Sequence, residues 1–121
     1  MPTFDAAVED YDVRQLVVGG TERGWRVDTA RAAVLIHDLL PYYVDVLPPR
    51  VRRVVVEQSQ RVVDWARKNG VPVVASAPRP ASSIDQRGLG GSLWGLGPSH
   101  AEASVSSLGD LGDAVWVGKR S

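Results

Sequence analysis

The chain has 121 residues, 14 basic and 14 acidic side chains balanced to a formal net charge of zero, and no cysteine. This length accommodates one small domain with a modest core, and the charge balance supplies no field to draw the chain to nucleic acid or to an anionic membrane. The absence of cysteine excludes disulfides, thiolate metal sites and a cysteine nucleophile, leaving a small molecule or another protein as the expected partner. No apolar run is long enough to span a bilayer, and Met1-Pro2-Thr3-Phe4-Asp5 lacks the basic and apolar regions of a secretory signal. The expected location is the cytoplasm.

Residues 1–30 mix acids, glycines and isolated apolar side chains without a period, so they read as an arm, with Trp25 expected to dock it on a single domain over 31–121. The run Ala32-Ala33-Val34-Leu35-Ile36-His37 then reads as a strand buried on both faces. Asp38 closes it, placing a carboxyl group at the C-terminal edge of the strand, where open α/β sheets bind their ligands. His37 to Tyr43 reads as a loop, because Pro41 discourages immediate helix propagation.

Between Pro49 and Lys68 the residues Val51, Val54, Val55, Val62, Trp65 and Ala66 fall in one arc of a helical projection, interrupted only by Gln58. Pro49 suits a first helical turn, Arg67 and Lys68 complement the negative end of the dipole, and Asn69-Gly70 supplies a left-handed stop before Pro72. A strand over Val71 to Ala75 follows. Strand, helix and strand make a βαβ unit and hence a parallel sheet.

From Pro78 to Asp113 the period is lost, and seven of the twelve glycines (88, 90, 91, 95, 97, 109 and 112) lie here among many serines. A segment of this kind is a functional lid or partly disordered, and Leu93 and Trp94 favour the lid. A third buried strand is expected over Ala114 to Val117, carrying Lys119 at its C-terminal edge. Three parallel strands with one long crossover helix leave a sheet edge and a face uncovered, so the fold is expected to be completed by homo-oligomerisation, as a dimer, or by pairing with a related chain.

The elements Arg31-Ala32-Ala33-Val34-Leu35-Ile36-His37-Asp38 with Tyr42-Tyr43, Gly70-Val71-Pro72-Val73-Val74, Asp85-Gln86-Arg87-Gly88-Leu89, Leu93-Trp94-Gly95 and Val115-Trp116-Val117-Gly118-Lys119-Arg120 together resemble the isochorismatase family, especially its phenazine-pathway branch. The resemblance implies a C-terminally truncated, Rossmann-like α/β fold with about three strands per chain. It also implies an enzyme of small-molecule biosynthesis that needs neither metal nor organic cofactor and cleaves the enol ether of isochorismate. On that pattern Asp38 is the acid, protonating a vinyl carbon so that water traps the oxocarbenium ion. Lys119 stands near Asp38 and a substrate carboxylate, Arg87 clamps a carboxylate, Trp94 walls the pocket, and His37, Tyr42 and Tyr43 line it.

Departures from the pattern are specific. Leu40 stands where relatives carry a glutamine after the aspartate, Ala77-Pro78-Arg79 stands where they show one after the second strand, and relatives continue well beyond the lysine strand. Each candidate also has a plainer reading: Asp38 as a turn cap, His37 and Trp94 as packing, Lys119 and Arg87 as solvated surface cations. His100 carries no partner signal, Gly88-Leu89-Gly90-Gly91 lacks the strand and helix context of a phosphate loop, and no metal-ligand pairing is visible. Two functions therefore stand side by side. One is an isochorismatase-like hydrolase or lyase using Asp38 as general acid or base on a cyclic carboxylic acid, by vinyl-ether hydrolysis, elimination or cyclisation. The other is a catalytically degenerate subunit with a structural or regulatory binding role.

Overall fold

A computed structural model of the chain describes residues 8–16, 24–109 and 111–119, apart from the side chains of Leu93 and Trp94. Three strands, β1 (Val34–His37), β2 (Val73–Pro78) and β3 (Val115–Lys119), form a parallel sheet in the order β1-β2-β3. Helix α1 (Pro41–Val44) and the long helix α2 (Pro49–Lys68) lie between β1 and β2. Helix α3 (Leu89–Trp94) and two short 3-10 turns, Ile84–Arg87 and Glu102–Ser104, lie between β2 and β3. This is the three-stranded α/β architecture expected.

Helix α2 has the predicted bounds. Pro49 occupies its first turn, where a missing N–H costs nothing, and Arg67 and Lys68 occupy its last. Gly70 at φ +67° turns the chain so that the Val71 N–H bonds the Ala66 carbonyl at 2.8 Å. Val71 thus serves the helix exit, and β2 begins later than the expected Val71, at Val73. The buried stripe of α2 is Val51, Val63 and Ala66, whereas Val62 and Trp65 are exposed. Pro41, expected in a loop where it discourages immediate helix propagation, instead opens α1, because proline is accepted in a first turn. The glycine-rich segment folds into short helical turns, and Ala103 from one of them and Leu111 from the loop beyond enter the core.

Strand register decides which side chains share a face. Ile36 pairs with Ala75 and Ala75 with Trp116; on the other face, His37 pairs with Ser76 and Ser76 with Val117. On the first face Ile36 and Ala75 pack with Val63 of α2 and with Leu111 of the second connection, flanked by Val34, Val73, Leu108 and Ala114. Consecutive strands joined by crossovers of one hand carry both connections on the same side. The opposite face is consequently uncovered along the outer strands: Leu35, Val115 and Val117 are 58%, 62% and 48% exposed, while Ser76 of the central strand is buried. Strand β1 is therefore buried on one face only, and β3, whose Trp116 on the first face is also 41% exposed, is buried on neither, contrary to the reading of their apolar runs. A second cluster, Leu40, Tyr42, Ala77 and Ala103, closes the C-terminal end of the sheet.

In the arm, Val13–Leu16 forms a 3-10 turn, and residues 1–7 and 17–23 lie outside the described residues. Trp25 does not dock: it is 83% exposed. Arg50 of α2 contacts Asp10 at 3.2 Å, a weak surface tie for the arm. No helix among the described residues is long and apolar enough to cross a membrane.

Candidate active site

The site begins where β1 stops. The Asp38 N–H still bonds the Ser76 carbonyl at 3.0 Å, continuing the parallel ladder, but Asp38 itself sits at φ +52°. Among the described residues no other non-glycine residue has a positive φ. Such a conformation costs energy for an L-residue, least for Asp and Asn, and concentrates at functional sites. The Leu40 N–H then bonds the Asp38 carbonyl at 2.9 Å, so the main chain itself closes the turn.

Asp38 Oδ2 lies 3.0 Å from Lys119 Nζ and 3.4 Å from His37 Nε2. Asp38 and Lys119 are on the two outer strands, so their ion pair spans the end of the central one. Both side chains are largely covered, 22% and 31% exposed. Asp38 Oδ1 is buried with no hydrogen-bond partner among the described residues. A buried acceptor left in this state is costly unless it is protonated or meets a donor from a ligand. The His37 ring, 57% exposed at its side chain, hydrogen-bonds through Nδ1 to the Ser76 hydroxyl at 2.9 Å.

Tyr43 and Arg87 form the second part of the site. Burial raises the Tyr43 hydroxyl above the ordinary tyrosine range and the Asp38 charge raises it further, while the Arg87 charge and an Arg87 hydrogen bond oppose the shift. The phenol thus stands within electrostatic reach of both the carboxylate and the guanidinium. Arg87, 5% exposed, is buried rather than a solvated surface cation. Gly97 makes its seat: at φ +75°, a Cβ built there would lie 2.9 Å from Arg87 Cζ and 3.0 Å from one of its terminal nitrogens. Only glycine satisfies both the backbone angle and the close approach.

The other candidates fall differently. Tyr42 is 4% exposed and belongs to the core cluster, its ring meeting that of Tyr43 edge-on at 5.0 Å. Trp94 ends α3, but its side chain lies outside the described residues. His100 lies with Arg79 and Trp116 in the wall of a cavity of about 360 Å³, which Gly118 places next to Lys119 in the chain. Another cavity, of about 400 Å³, lies at the opposite end of the strands, between Arg67 and Val73. Asp38, Lys119 and Arg87 line neither of them. Among the described residues no group of three metal-ligating side chains converges. Ser76 escaped the sequence reading, although it is the one hydroxyl interrupting the apolar run of β2, which is the available signal for a buried polar contact.

Comparison with curated proteins finds relatives in Pseudomonas. A protein of Pseudomonas chlororaphis named probable isochorismatase is 38% identical over 87 residues, covering 72% of this chain and 42% of the relative. Phenazine biosynthesis protein PhzD of Pseudomonas fluorescens is 40% identical over 73 residues, covering 60% and 35%. Phenazine biosynthesis protein PhzD1 of Pseudomonas aeruginosa is 32% identical over 95 residues, covering 77% and 46%. The chain thus spans less than half the length of these relatives. No family model matches it.

Proposed function

From the premise that this chain is related in sequence to the isochorismatase family, we propose that it is an enzyme of secondary-metabolite biosynthesis in which Asp38 acts as general acid on a cyclic enol-ether carboxylic acid. The observation that carries this reading is the Asp38 carboxyl itself, gripped at Oδ2 by Lys119 and left with a buried, unpartnered Oδ1. In its protonated form, as distinct from the carboxylate that pairs with Lys119, Asp38 delivers a proton from Oδ1 to the vinyl methylene carbon and leaves an oxocarbenium ion. Water adds to that ion and returns a proton to the carboxylate, and the hemiketal then collapses to pyruvate and a ring alcohol. Lys119 and the buried Arg87 attract the substrate's carboxylates, and the Tyr43 hydroxyl, kept protonated by its surroundings, donates toward the same space. No step calls for a metal or an organic cofactor.

The direct test is release of pyruvate from isochorismate by the purified chain, followed by a coupled dehydrogenase assay. Asp38→Asn preserves the size of the side chain and removes the acid, so turnover is expected to fall by at least about 100-fold. Equal turnover by the variant refutes the acid role.

A second reading, a binding subunit without catalysis, is favoured by one observation: the sheet face uncovered at Leu35, Val115 and Val117. In either reading we propose that this face joins a second copy of the chain. The even charge balance offers no self-repulsion against such pairing. Light scattering at micromolar concentration is expected to report a dimer, and Val115→Lys a monomer that remains folded. A wild-type monomer removes this proposal.

A further inference from the structure

Deepening the acid role proposed for Asp38, we infer that Ser76 and His37 are positioning residues that keep Oδ2 occupied and direct the transferable proton to Oδ1. The geometry leaves a narrow choice. His37 Nδ1 is 2.9 Å from the Ser76 hydroxyl and Nε2 is 3.4 Å from Asp38 Oδ2. A neutral imidazole carries one N–H and one lone pair. Were the hydrogen on Nδ1, the lone pair of Nε2 would face a carboxylate oxygen, which is repulsive. With the hydrogen on Nε2, that nitrogen turns its positive end toward Oδ2, and the Nδ1 lone pair accepts the hydroxyl proton of Ser76.

Ser76 suits this duty. It is 6% exposed, in the central strand, and backbone register fixes it directly beside His37. The imidazole is thus aimed by a buried neighbour although its own side chain is half-exposed. Lys119 approaches the same oxygen from the other outer strand. An ammonium and a neutral imidazole N–H directed at Oδ2 favour its carbonyl form in the protonated acid, so the hydrogen resides on Oδ1, the oxygen that has no partner among the described residues. The assembly prepares an acid with one defined donor atom, and the serine acts through the histidine without touching the substrate.

The chain contains only two histidines, so nitrogen-15 resonances of the imidazoles can be assigned with a His100→Gln variant. At about pH 8.5, well above the ordinary histidine range, His37 is expected to show a protonated Nε2 and a bare Nδ1. In Ser76→Ala the two nitrogen shifts should move toward each other as the tautomers mix, and Ser76→Thr, which keeps a hydroxyl, should restore them. A wild-type spectrum with the hydrogen on Nδ1 overturns the inference whatever the variants do, and so do shifts unmoved in Ser76→Ala. In turnover assays Ser76→Ala should lower kcat with KM held. The expected spectrum without any turnover of isochorismate would instead remove the proposed reaction and leave the His37 tautomer established.

Discussion

The contact most open to measurement is the pair between Asp38 and Lys119. At 3.0 Å two unit charges interact by about 1.4 kcal/mol at the dielectric constant of water and by about 5.5 kcal/mol at an effective value of 20. Desolvation and side-chain ordering offset most of the larger figure. Exposed pairs retain roughly 0.2–1 kcal/mol, whereas breaking a buried one costs about 3–5 kcal/mol. With side chains 22% and 31% exposed, this pair falls between those cases, and a coupling of about 1–2 kcal/mol is expected. The assay is a double-mutant cycle of Asp38→Asn and Lys119→Met, each variant unfolded in urea at low and at high salt. Because the pair is largely covered, raising the salt should reduce the coupling only slightly. A coupling below about 0.3 kcal/mol, or one abolished by salt, would mark the pair as an ordinary solvated contact and refute the reasoning that brings a covered carboxyl and ammonium together at the sheet's end.

Gly97→Ala is expected to cost about 1 kcal/mol in urea unfolding, the left-handed strain of about 1–2 kcal/mol being partly offset by a less flexible unfolded chain. The added methyl must also displace the Arg87 guanidinium, so KM should rise more than kcat falls. Alkaline absorbance titration of the three tyrosines should reveal one ionising above the usual value of 10.0, and Tyr43→Phe should remove that late phase. The sign follows from linkage: a hydroxyl whose pKa is raised on folding contributes fully below the unfolded value, and its contribution is lost as pH rises through the folded one. Stability should therefore fall less steeply above about pH 10 in Tyr43→Phe than in the parent chain.

Both end residues of the candidate ion pair were legible as residues. Asp38 and Lys119 each end an apolar run, and the family resemblance implied their proximity; the parallel sheet, which gathers strand C-termini at one edge, accounts for it. That helix was readable because its caps and its period agree. The buried stripe was read with less precision, taking Val62 where Val63 is buried, because neighbouring valines both fit an arc that only docking on Ile36 and Ala75 resolves. The apolar runs of β1 and β3 suggested burial on both faces, since composition reports what a strand tolerates and not which side the connections take. Sequential strand order put both connections on one side.

The seat of Arg87 was hidden for a similar reason. Gly97 was visible only as one glycine among many, because nothing local records that a guanidinium ten residues earlier in the chain will press against it. Ser76 and His37 are separated by 39 positions, and a register slip of one residue would send either to the opposite face. Local propensity and hydrophobic period therefore determined the strands, the long helix and the carboxyl at the strand end, since those depend on neighbours along the chain. Only the tertiary structure decided which oxygen of that carboxyl is held, which tyrosine meets the arginine and which sheet face stays open, because each depends on how segments far apart in sequence align to within a single residue.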